Sequence, residues 1–309
     1  MIYGLILVRQ IFSDNTKFEE NEVYVYVPTG SDYEAVKKIV EPYVVDMDRF
    51  DAVANKKKYP NNVKPGKFLF KKGMNSNELI NALRINNEVK LSFNNQERLE
   101  DFAGRIGSEI EADSVSLLAA IKDSTFLKEN GFNEENVLTM FIPNTYELYW
   151  NTNATKFRDK MIKEYRNYWN EERVAKAKAQ GLTPIEATIL ASIVHKESVK
   201  KDERPRIAGV YLNRLHKGIL LQADPTVIYA VKKKSNDFNQ VIKRVLNKDL
   251  QVASPYNTYY SAGLPPGPIA MPDINAIDAV LYPEKNDFIY ANGPGDSAGA
   301  HIDYNCDNI

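Results

Sequence analysis

The stretch TPIEATILASIVHKES, residues 183–198, decides how the second half of the chain folds. It opens with Thr183 and Glu186 at the spacing of a capping box, and Pro184 stands at the first helical position. Apolar residues then recur at steps of three and four, as they do on one face of an α-helix. The stretch therefore predicts a helix that begins at Pro184 and runs to about Val199.

Glu197 continues the apolar face of this helix, because steps of three and four from Leu190 and Ile193 lead to it. Burial disfavours a charged carboxylate, and so does the negative end of the helix dipole. Both effects favour a protonated carboxyl, as a general acid for glycosidic bond cleavage requires. A slight rotation of the helix would instead leave Glu197 exposed in the last turn, and periodicity alone does not decide between the two interpretations.

Other chemistries fit this stretch poorly. A His195 and Ser198 pair has no evident oxyanion site or third member. The three histidines are scattered without the spacing of zinc ligands, and neither standard glycine-rich phosphate loop is present. We therefore predict no metal and no other cofactor.

The composition is that of an ordinary globular protein. The 309 residues are 43% hydrophobic and 26% charged, with one cysteine and a net charge of −1. These values exclude a disordered tail, a collagen-like fibre, a protein with many membrane spans and an intrachain disulfide. The balanced charge excludes the basic surface expected of a nucleic-acid-binding protein. The length favours two domains, or one large domain with an accessory piece.

The first half of the chain predicts a small α+β module. A strand over residues 23–27, two helices and a strand over residues 67–70 follow one another in the order β-α-α-β. Further along, we predict a loop over residues 141–146 and one long helix over residues 155–180. The apolar run over residues 1–12 is shorter than the roughly 20 residues of a membrane-spanning helix. It is either a segment packed on the body or the trailing end of a trimmed membrane anchor.

A loop rich in proline and glycine, SPYNTYYSAGLPPGPIAMP, occupies residues 254–272. Loops of this length in a compact domain are usually functional. Prolines reduce the entropy lost on binding, and Tyr rings and Asn amides suit sugars. We expect the loop to form one wall of a groove that holds Glu197, with Tyr256 and Asn257 facing the groove and residues 264–268 as a rigid part. The alternative is a surface loop that only covers the core.

Four blocks of sequence follow one another in the second half of the chain. They are ILASIVHKES (189–198), ERPRIAGVYLNRL (203–215), LQADPTVIY (221–229), and SPYNTY with GLPPGPI (254–259 and 263–269). Together they resemble the MltG (YceG-like) family of endolytic murein transglycosylases of the bacterial cell envelope. The block MFIPNTY at residues 140–146 is similar to the family's preceding aromatic block, so the likeness covers most of residues 20–290.

The resemblance implies an α+β fold in three parts. Residues 1–20 would be the remnant of a membrane anchor or a linker. Residues 21–73 would form a LysM-like β-α-α-β module, and residues 74–309 a mixed α+β catalytic domain.

The resemblance also implies a reaction. The enzyme would cleave MurNAc-GlcNAc β-1,4 bonds of peptidoglycan strands without water, leave 1,6-anhydro-MurNAc ends, and so terminate strand elongation. The family's catalytic glutamate corresponds to Glu197, which would protonate the glycosidic oxygen and then take the proton from the C6 hydroxyl that attacks C1.

Residues that match the later blocks are expected to line the glycan groove. They are Ser198, Asn213, Gln222, Asp224, Thr226, Tyr256, Asn257 and Thr258. For these residues, helix caps and turn hydrogen bonds are the alternative roles. For Asp224, which directly precedes Pro225, the cap is at least as good an interpretation.

The resemblance further implies a single-pass protein of the cytoplasmic (inner) membrane with its catalytic domain on the extracytoplasmic side. Its partners would be peptidoglycan strands and, as candidates, cell-wall synthases, and its membrane anchor would be missing or trimmed here. Two other functions stay open: a non-catalytic peptidoglycan-binding or divisome scaffold, and a hydrolytic muramidase that uses water in the same groove.

The sequence departs from the family pattern at three places. His195 stands where many members have Glu, and Met271-Pro-Asp273 replaces the usual Asn-Pro-Gly. After Ala291 a short tail replaces the usual C-terminal segment, and this departure keeps the scaffold hypothesis open.

Overall fold

The structure, a computed structural model, describes residues 13–290. The strands in this range are β1 (Glu22–Val27), β2 (Gly66–Lys71), β3 (Glu88–Phe93) and β4 (Asn144–Tyr149). The first six α-helices are α1 (Tyr33–Val40), α2 (Met47–Lys56), α3 (Ser76–Ala82), α4 (Leu99–Gly107), α5 (Ser114–Ile121) and α6 (Ser124–Asn130). The next six are α7 (Ala154–Tyr168), α8 (Glu171–Ala179), α9 (Pro184–Glu197), α10 (Arg204–His216), α11 (Asp224–Ser235) and α12 (Ile274–Leu281). Two small sheets among many helices confirm the predicted α+β class.

The chain divides into two compact units. The first contains residues 13–91 together with the later segments 106–113 and 145–154, and the second contains the remainder of the described chain. The predicted boundary between residues 73 and 74 does not coincide with this division, because α3 packs in the same core as the strands that precede it. The boundary is therefore set by packing and not by the end of the β-α-α-β segment.

The first unit has the predicted β-α-α-β order. β1 pairs antiparallel with β2, with Val25 opposite Phe68 and Val23 opposite Phe70. Alternate side chains of both strands are buried, as expected for a sheet with one covered face. Helices α1, α2 and α3 complete this core. The specific likeness to LysM stays a prediction.

The second unit is built around α9. Eight consecutive residues of this helix, 187–194, are buried, which means that it is covered on all sides. It packs against α10, α11 and α12. Because close packing surrounds the middle of α9, the helix cannot shift easily, and the side chains at its two ends are held in place.

Two local predictions differ from the structure. The long helix expected over residues 155–180 is divided into α7 and α8, because the Asn170 side chain accepts a hydrogen bond from the Arg173 amide at 3.0 Å and starts a new helix. Part of the loop expected over residues 141–146 belongs to β4.

In residues 13–290, no helix combines the length and the apolar character needed to cross a membrane. Residues 1–12 of the predicted anchor remnant or linker (residues 1–20) and the tail from residue 291 lie outside the described residues.

Candidate active site

Local sequence positions the predicted catalytic carboxyl. The Thr183 hydroxyl accepts from the Glu186 amide at 3.2 Å, and the Glu186 carboxylate accepts from the Thr183 amide at 2.8 Å. This capping box, with Pro184 at the first helical position, starts α9 where the sequence predicts. The helix is 14 residues long and ends at Glu197, three residues beyond the buried stretch.

Glu197 is partly exposed, but one of its carboxyl oxygens is buried. Among the described side chains, Oε2 of Glu197 and the hydroxyl of Tyr211 are both buried without a hydrogen-bond partner of normal geometry. The two groups are nevertheless close enough for each to change the pKa of the other. Native proteins rarely leave such groups unpaired in their interior, and a catalytic role is one explanation for an exception.

Burial raises the pKa of Glu197 to about 7. The negative charge of Asp224 acts in the same direction, whereas the Tyr211 hydroxyl and the Arg214 guanidinium oppose the rise. A carboxyl with this pKa is protonated in a substantial fraction of molecules at neutral pH and can also release its proton there. It can therefore act first as an acid and then as a base.

The charged neighbours of Glu197 are themselves held in place. Arg214 is buried and donates to the carbonyl oxygens of Leu221 at 2.8 Å and Ile289 at 2.6 Å. Asp224 accepts a hydrogen bond of 2.7 Å from the Tyr259 hydroxyl. Burial, and then Asp224, raise the pKa of Tyr259, so this hydroxyl stays protonated and remains a donor.

Two predicted binding residues lie at this site. Asp224 is the first residue of α11 and Ala223 stands at the N-cap position. The Asp224 carboxylate accepts from the Tyr259 hydroxyl, so the expected cap at Asp224 is not formed. Gln222 is exposed and has a left-handed backbone with φ +52°, and its side-chain oxygen accepts from Arg214 at 3.4 Å. A left-handed conformation costs energy for residues other than glycine, and such strain often occurs at functional sites.

Three predicted binding residues lie inside the protein. Thr226, Asn257 and Thr258 are all 0% exposed. The two threonine hydroxyls are 2.8 Å apart, and that of Thr258 also accepts from the Ala223 amide at 3.0 Å. The Asn257 amide nitrogen donates to the carbonyls of Leu250 and Val252 at 2.9 and 2.8 Å. The expectation that Asn257 faces a groove is not met, because these bonds turn its side chain into the core of the loop.

Tyr256 is also buried, at 2% exposure. Its hydroxyl donates to Glu135 at 2.6 Å, and its ring packs on Tyr229 with centroids 4.8 Å apart. At Gly267 a Cβ would lie 1.9 Å from the Glu135 carbonyl oxygen and 2.8 Å from the Tyr256 hydroxyl. Glycine is required there so that the loop can close over this ring, and Tyr256 does not face an open groove.

The remaining two predicted residues hold turns together. The Ser198 hydroxyl donates to Glu203 at 3.0 Å and accepts from the Lys200 amide at 3.1 Å, directly after the end of α9. The Asn213 amide donates to the carbonyls of Asn286 at 2.8 Å and Phe288 at 2.9 Å. Ser198 is thus adjacent to Glu197 in sequence, while its hydroxyl is engaged in the turn.

The proline-rich part of the loop lies at the other end of α9. Leu264, Pro265 and Pro266 line a cavity of about 790 Å³ together with Thr183 and Pro184. A helix of 14 residues is about 20 Å long. The expected wall beside Glu197 is therefore wrong for this segment, and it is the earlier part of the loop, through Tyr259, that reaches the carboxyl site.

Sequence reasoning did not select Tyr211, Arg214 or Tyr259 as site residues. All three stand within the blocks 203–215 and 254–259 that carried the family resemblance. The position of Tyr211 and Arg214 three residues apart, on one face of α10, was a signal that could have been used. Among residues 13–290, no group of three or more His, Cys, Asp or Glu side chains could hold a metal ion.

Comparison with known proteins supports the family resemblance. A relative from Bacillus subtilis (strain 168), named endolytic murein transglycosylase, is 28% identical over 310 residues, covering 94% of this chain and 82% of the relative. A relative with the same name from Streptococcus pneumoniae serotype 2 (strain D39 / NCTC 7466) is 25% identical, covering 87% of this chain. The chain spans 53% of that relative's length.

A solved structure and a family model extend the comparison. The crystal structure of a YceG-like protein from Listeria monocytogenes matches with a TM-score of 0.59 and 26% identity, covering 88% of this chain and 93% of that one. The model of the YceG-like family matches residues 25–301. Because this match takes in both units and every residue of the carboxyl site, the chain belongs to the YceG-like family.

Proposed function

We propose that the protein is an endolytic murein transglycosylase, a lyase that cleaves the glycan strands of peptidoglycan. The observation that carries the proposal is the Glu197 carboxyl, which has one buried oxygen without a hydrogen-bond partner of normal geometry and a pKa raised to about 7 by burial. The names of the bacterial relatives support the same class of reaction and substrate.

The proposed reaction begins with protonated Glu197. The carboxyl donates its proton to the glycosidic oxygen between MurNAc and GlcNAc, and the bond to C1 breaks as positive charge develops on the sugar ring. The resulting carboxylate is stabilised by the positive charge of Arg214 and by the Tyr211 hydroxyl. It then removes the proton of the C6 hydroxyl as that oxygen attacks C1. A 1,6-anhydro-MurNAc end forms, and Glu197 is protonated again.

A hydrolytic reaction is the second candidate, because Asp224 places another carboxylate within electrostatic range of Glu197. A pair of carboxylates is the usual equipment of glycosidases that use water. The hydrogen bond from Tyr259 to Asp224 supports the first reaction instead, since it occupies one carboxylate oxygen. The two candidates differ in the end that they leave on MurNAc.

The biological setting is part of the proposal. Peptidoglycan lies outside the cytoplasmic membrane, so we propose that the protein acts on the extracytoplasmic side, attached to that membrane, and that its cuts terminate strand elongation. Cell-wall synthases are the proposed protein partners. The β-α-α-β segment of the first unit is proposed to bind glycan as a LysM-like module.

Mass spectrometry of digested sacculi tests the proposal. The wild-type protein should release strands with 1,6-anhydro-MurNAc ends, without incorporation of ¹⁸O from labelled water. Glu197→Gln should lower the rate by about a thousandfold, because the amide cannot exchange a proton. Asp202→Asn removes an exposed carboxylate five residues further along and should leave the rate unchanged.

Reducing ends that carry ¹⁸O from the labelled water would show that the enzyme is a hydrolase and not a lytic transglycosylase. Binding of glycan without cleavage would support the scaffold hypothesis. Glu197→Gln with more than a few per cent of the wild-type rate would reject the assigned acid.

A further inference from the structure

A buried arginine lies beside the end of α9. Arg204, the first residue of α10, is 3% exposed. Its Nε donates to the carbonyl oxygen of Ser198, the residue after Glu197, at 3.1 Å. One guanidinium nitrogen also contacts both carboxylate oxygens of Asp273, at 2.8 and 2.9 Å. The guanidinium thus joins the backbone next to the catalytic carboxyl to a residue 76 positions away in sequence.

Asp273 is fixed from a second direction. It is the N-cap of α12 and accepts from the Ala276 amide at 2.9 Å. Burial alone would raise the pKa of Asp273, but hydrogen bonds from His195, Arg204 and this amide hold it well below its usual range. The carboxylate is consequently ionised at every pH at which the protein would work.

His195 completes the contacts on the other side of Glu197. Its Nδ1 lies 3.5 Å from the Asp273 carboxylate and 3.4 Å from the Arg204 guanidinium. The residue two before Glu197 and the residue after it therefore contact the same ion pair. We call Arg204 and Asp273 the clasp.

A gain in folding stability does not explain why this ion pair is present. Desolvating an arginine and a carboxylate costs several kcal/mol, and well-packed apolar residues often serve stability equally well. What an ion pair adds is direction, because a guanidinium and a carboxylate bind only in a few geometries. Here that direction is imposed on the last turn of α9, which the Ser198 amide closes by a hydrogen bond of 3.3 Å to Val194.

We propose that Arg204 and Asp273 are positioning residues, whose ion pair fixes the last turn of α9 so that the Glu197 carboxyl points at the glycosidic oxygen. The proposal deepens the proposed function and rests on it. Neither residue needs to touch the glycan. Their effect is on the rate of the bound complex and not on its formation.

Asp273→Asn tests the clasp and keeps the cap of α12, while it leaves the buried Arg204 charge without its carboxylate and so lowers the melting temperature. Asparagine caps a helix as well as aspartate, so α12 should keep its start while the charge is lost. We expect kcat to fall about tenfold to a hundredfold, as for a misdirected catalytic group, with KM nearly unchanged. Amide hydrogen exchange of residues 195–199 should accelerate. The matched control is Arg206→Ala. Arg206 lies on α10, as Arg204 does, and its substitution removes only an exposed ion pair with Glu284, so it should change none of these quantities.

A relocated charge provides the rescue. His195→Glu in the Asp273→Asn background places a carboxylate next to the Arg204 guanidinium, which now lies 3.4 Å from the imidazole. This double variant should recover most of the lost kcat and the slow exchange, whereas His195→Gln in the same background should recover neither.

Wild-type kcat in Asp273→Asn, or a loss shared by KM and melting temperature that the relocated charge does not repair, would overturn the proposal. If the wild-type protein cleaves no glycan, the proposed function fails separately. Amide hydrogen exchange of residues 195–199 then still tests whether the clasp fixes the last turn of α9. Unchanged exchange in Asp273→Asn rejects this effect, and faster exchange supports it.

Discussion

Two clusters of buried polar groups in the second unit differ in one property. Around Thr226, Asn257 and Thr258 the side-chain groups have partners at 2.6–3.2 Å. Around Glu197 and Tyr211 a carboxyl oxygen and a hydroxyl are buried without one. A satisfied network rigidifies a loop, whereas an unpaired carboxyl keeps a proton that it can give away. Both clusters are buried, so in this comparison it is the completeness of the hydrogen bonds that distinguishes the supporting residues from Glu197, whose raised pKa comes from burial.

The largest expected effect on stability concerns the carboxyl itself. Its ordinary pKa is 4.5 and its folded pKa is about 7, so between these values the folded protein binds more protons than the unfolded chain. The contribution of Glu197 to the free energy of unfolding is at its maximum below pH 4.5 and is lost as the pH rises through 7. The loss is on the order of 3 kcal/mol. Glu197→Gln has no such loss. Urea denaturation should show that the wild-type protein and Glu197→Gln are equally stable at pH 4 and that the variant is the more stable of the two at pH 8.

An equal pH dependence in wild-type protein and Glu197→Gln would mean that the carboxyl is well solvated. The comparison between the two clusters would then lose its basis. Asp202→Asn serves again as the exposed control.

The satisfied cluster should respond in the opposite way. Asn257→Ala removes two donated hydrogen bonds and one of 3.0 Å accepted from the Tyr259 amide, leaving buried backbone groups unpaired. We expect a loss of about 2 kcal/mol in unfolding free energy with turnover per folded molecule retained. Thermal unfolding and a rate corrected for folded fraction measure both.

Asn239→Ala, at an exposed position, should change stability by no more than about 0.5 kcal/mol. A lower rate at unchanged melting temperature in Asn257→Ala would instead place Asn257 against the glycan, as the sequence predicts.

The smallest effect is expected at Tyr211. Tyr211→Phe removes a buried hydroxyl that lacks a normal partner, so melting temperature should stay equal or rise. The hydroxyl lowers the pKa of Glu197, and its loss should move the alkaline limb of the pH–rate profile upward by less than about one pH unit. Tyr59→Phe, in the first unit, removes another buried unpaired hydroxyl and should leave the profile unchanged. An unmoved alkaline limb in Tyr211→Phe would separate the hydroxyl from the carboxyl.

Helix α9 shows how far sequence reasoning reaches. Its start depends on Thr183, Pro184 and Glu186, and its apolar face on residues spaced by three and four. These interactions join neighbours along the chain, so the pattern alone predicts the helix and places Glu197 at its end. The division between α7 and α8 is equally local, since Asn170 is a common capping residue, and it could have been predicted.

The loop at residues 254–272 shows where that reasoning ends. Its composition predicts a rigid, irregular segment with polar side chains, but not which of them turn inward. Tyr256 turns inward because Glu135, 121 residues earlier, accepts its hydrogen bond. Asn257 does so because nearby carbonyls converge on it. Only Tyr259 reaches the carboxyl site, and nothing in the order of the three residues distinguishes it.

The α+β class, the helix that carries Glu197 and the family of the chain can all be predicted from the order of the residues. Capping, periodicity and motif order depend on residues that are close together in the sequence, so they can be recognised without a structure. Tertiary contacts are needed to bury Oε2 of Glu197, to bring Tyr211, Arg214 and Asp224 within electrostatic range of the carboxyl, and to pair Arg204 with Asp273. Burial and charge depend on atoms brought together from distant parts of the chain, and these atoms set the pKa on which the proposed reaction depends.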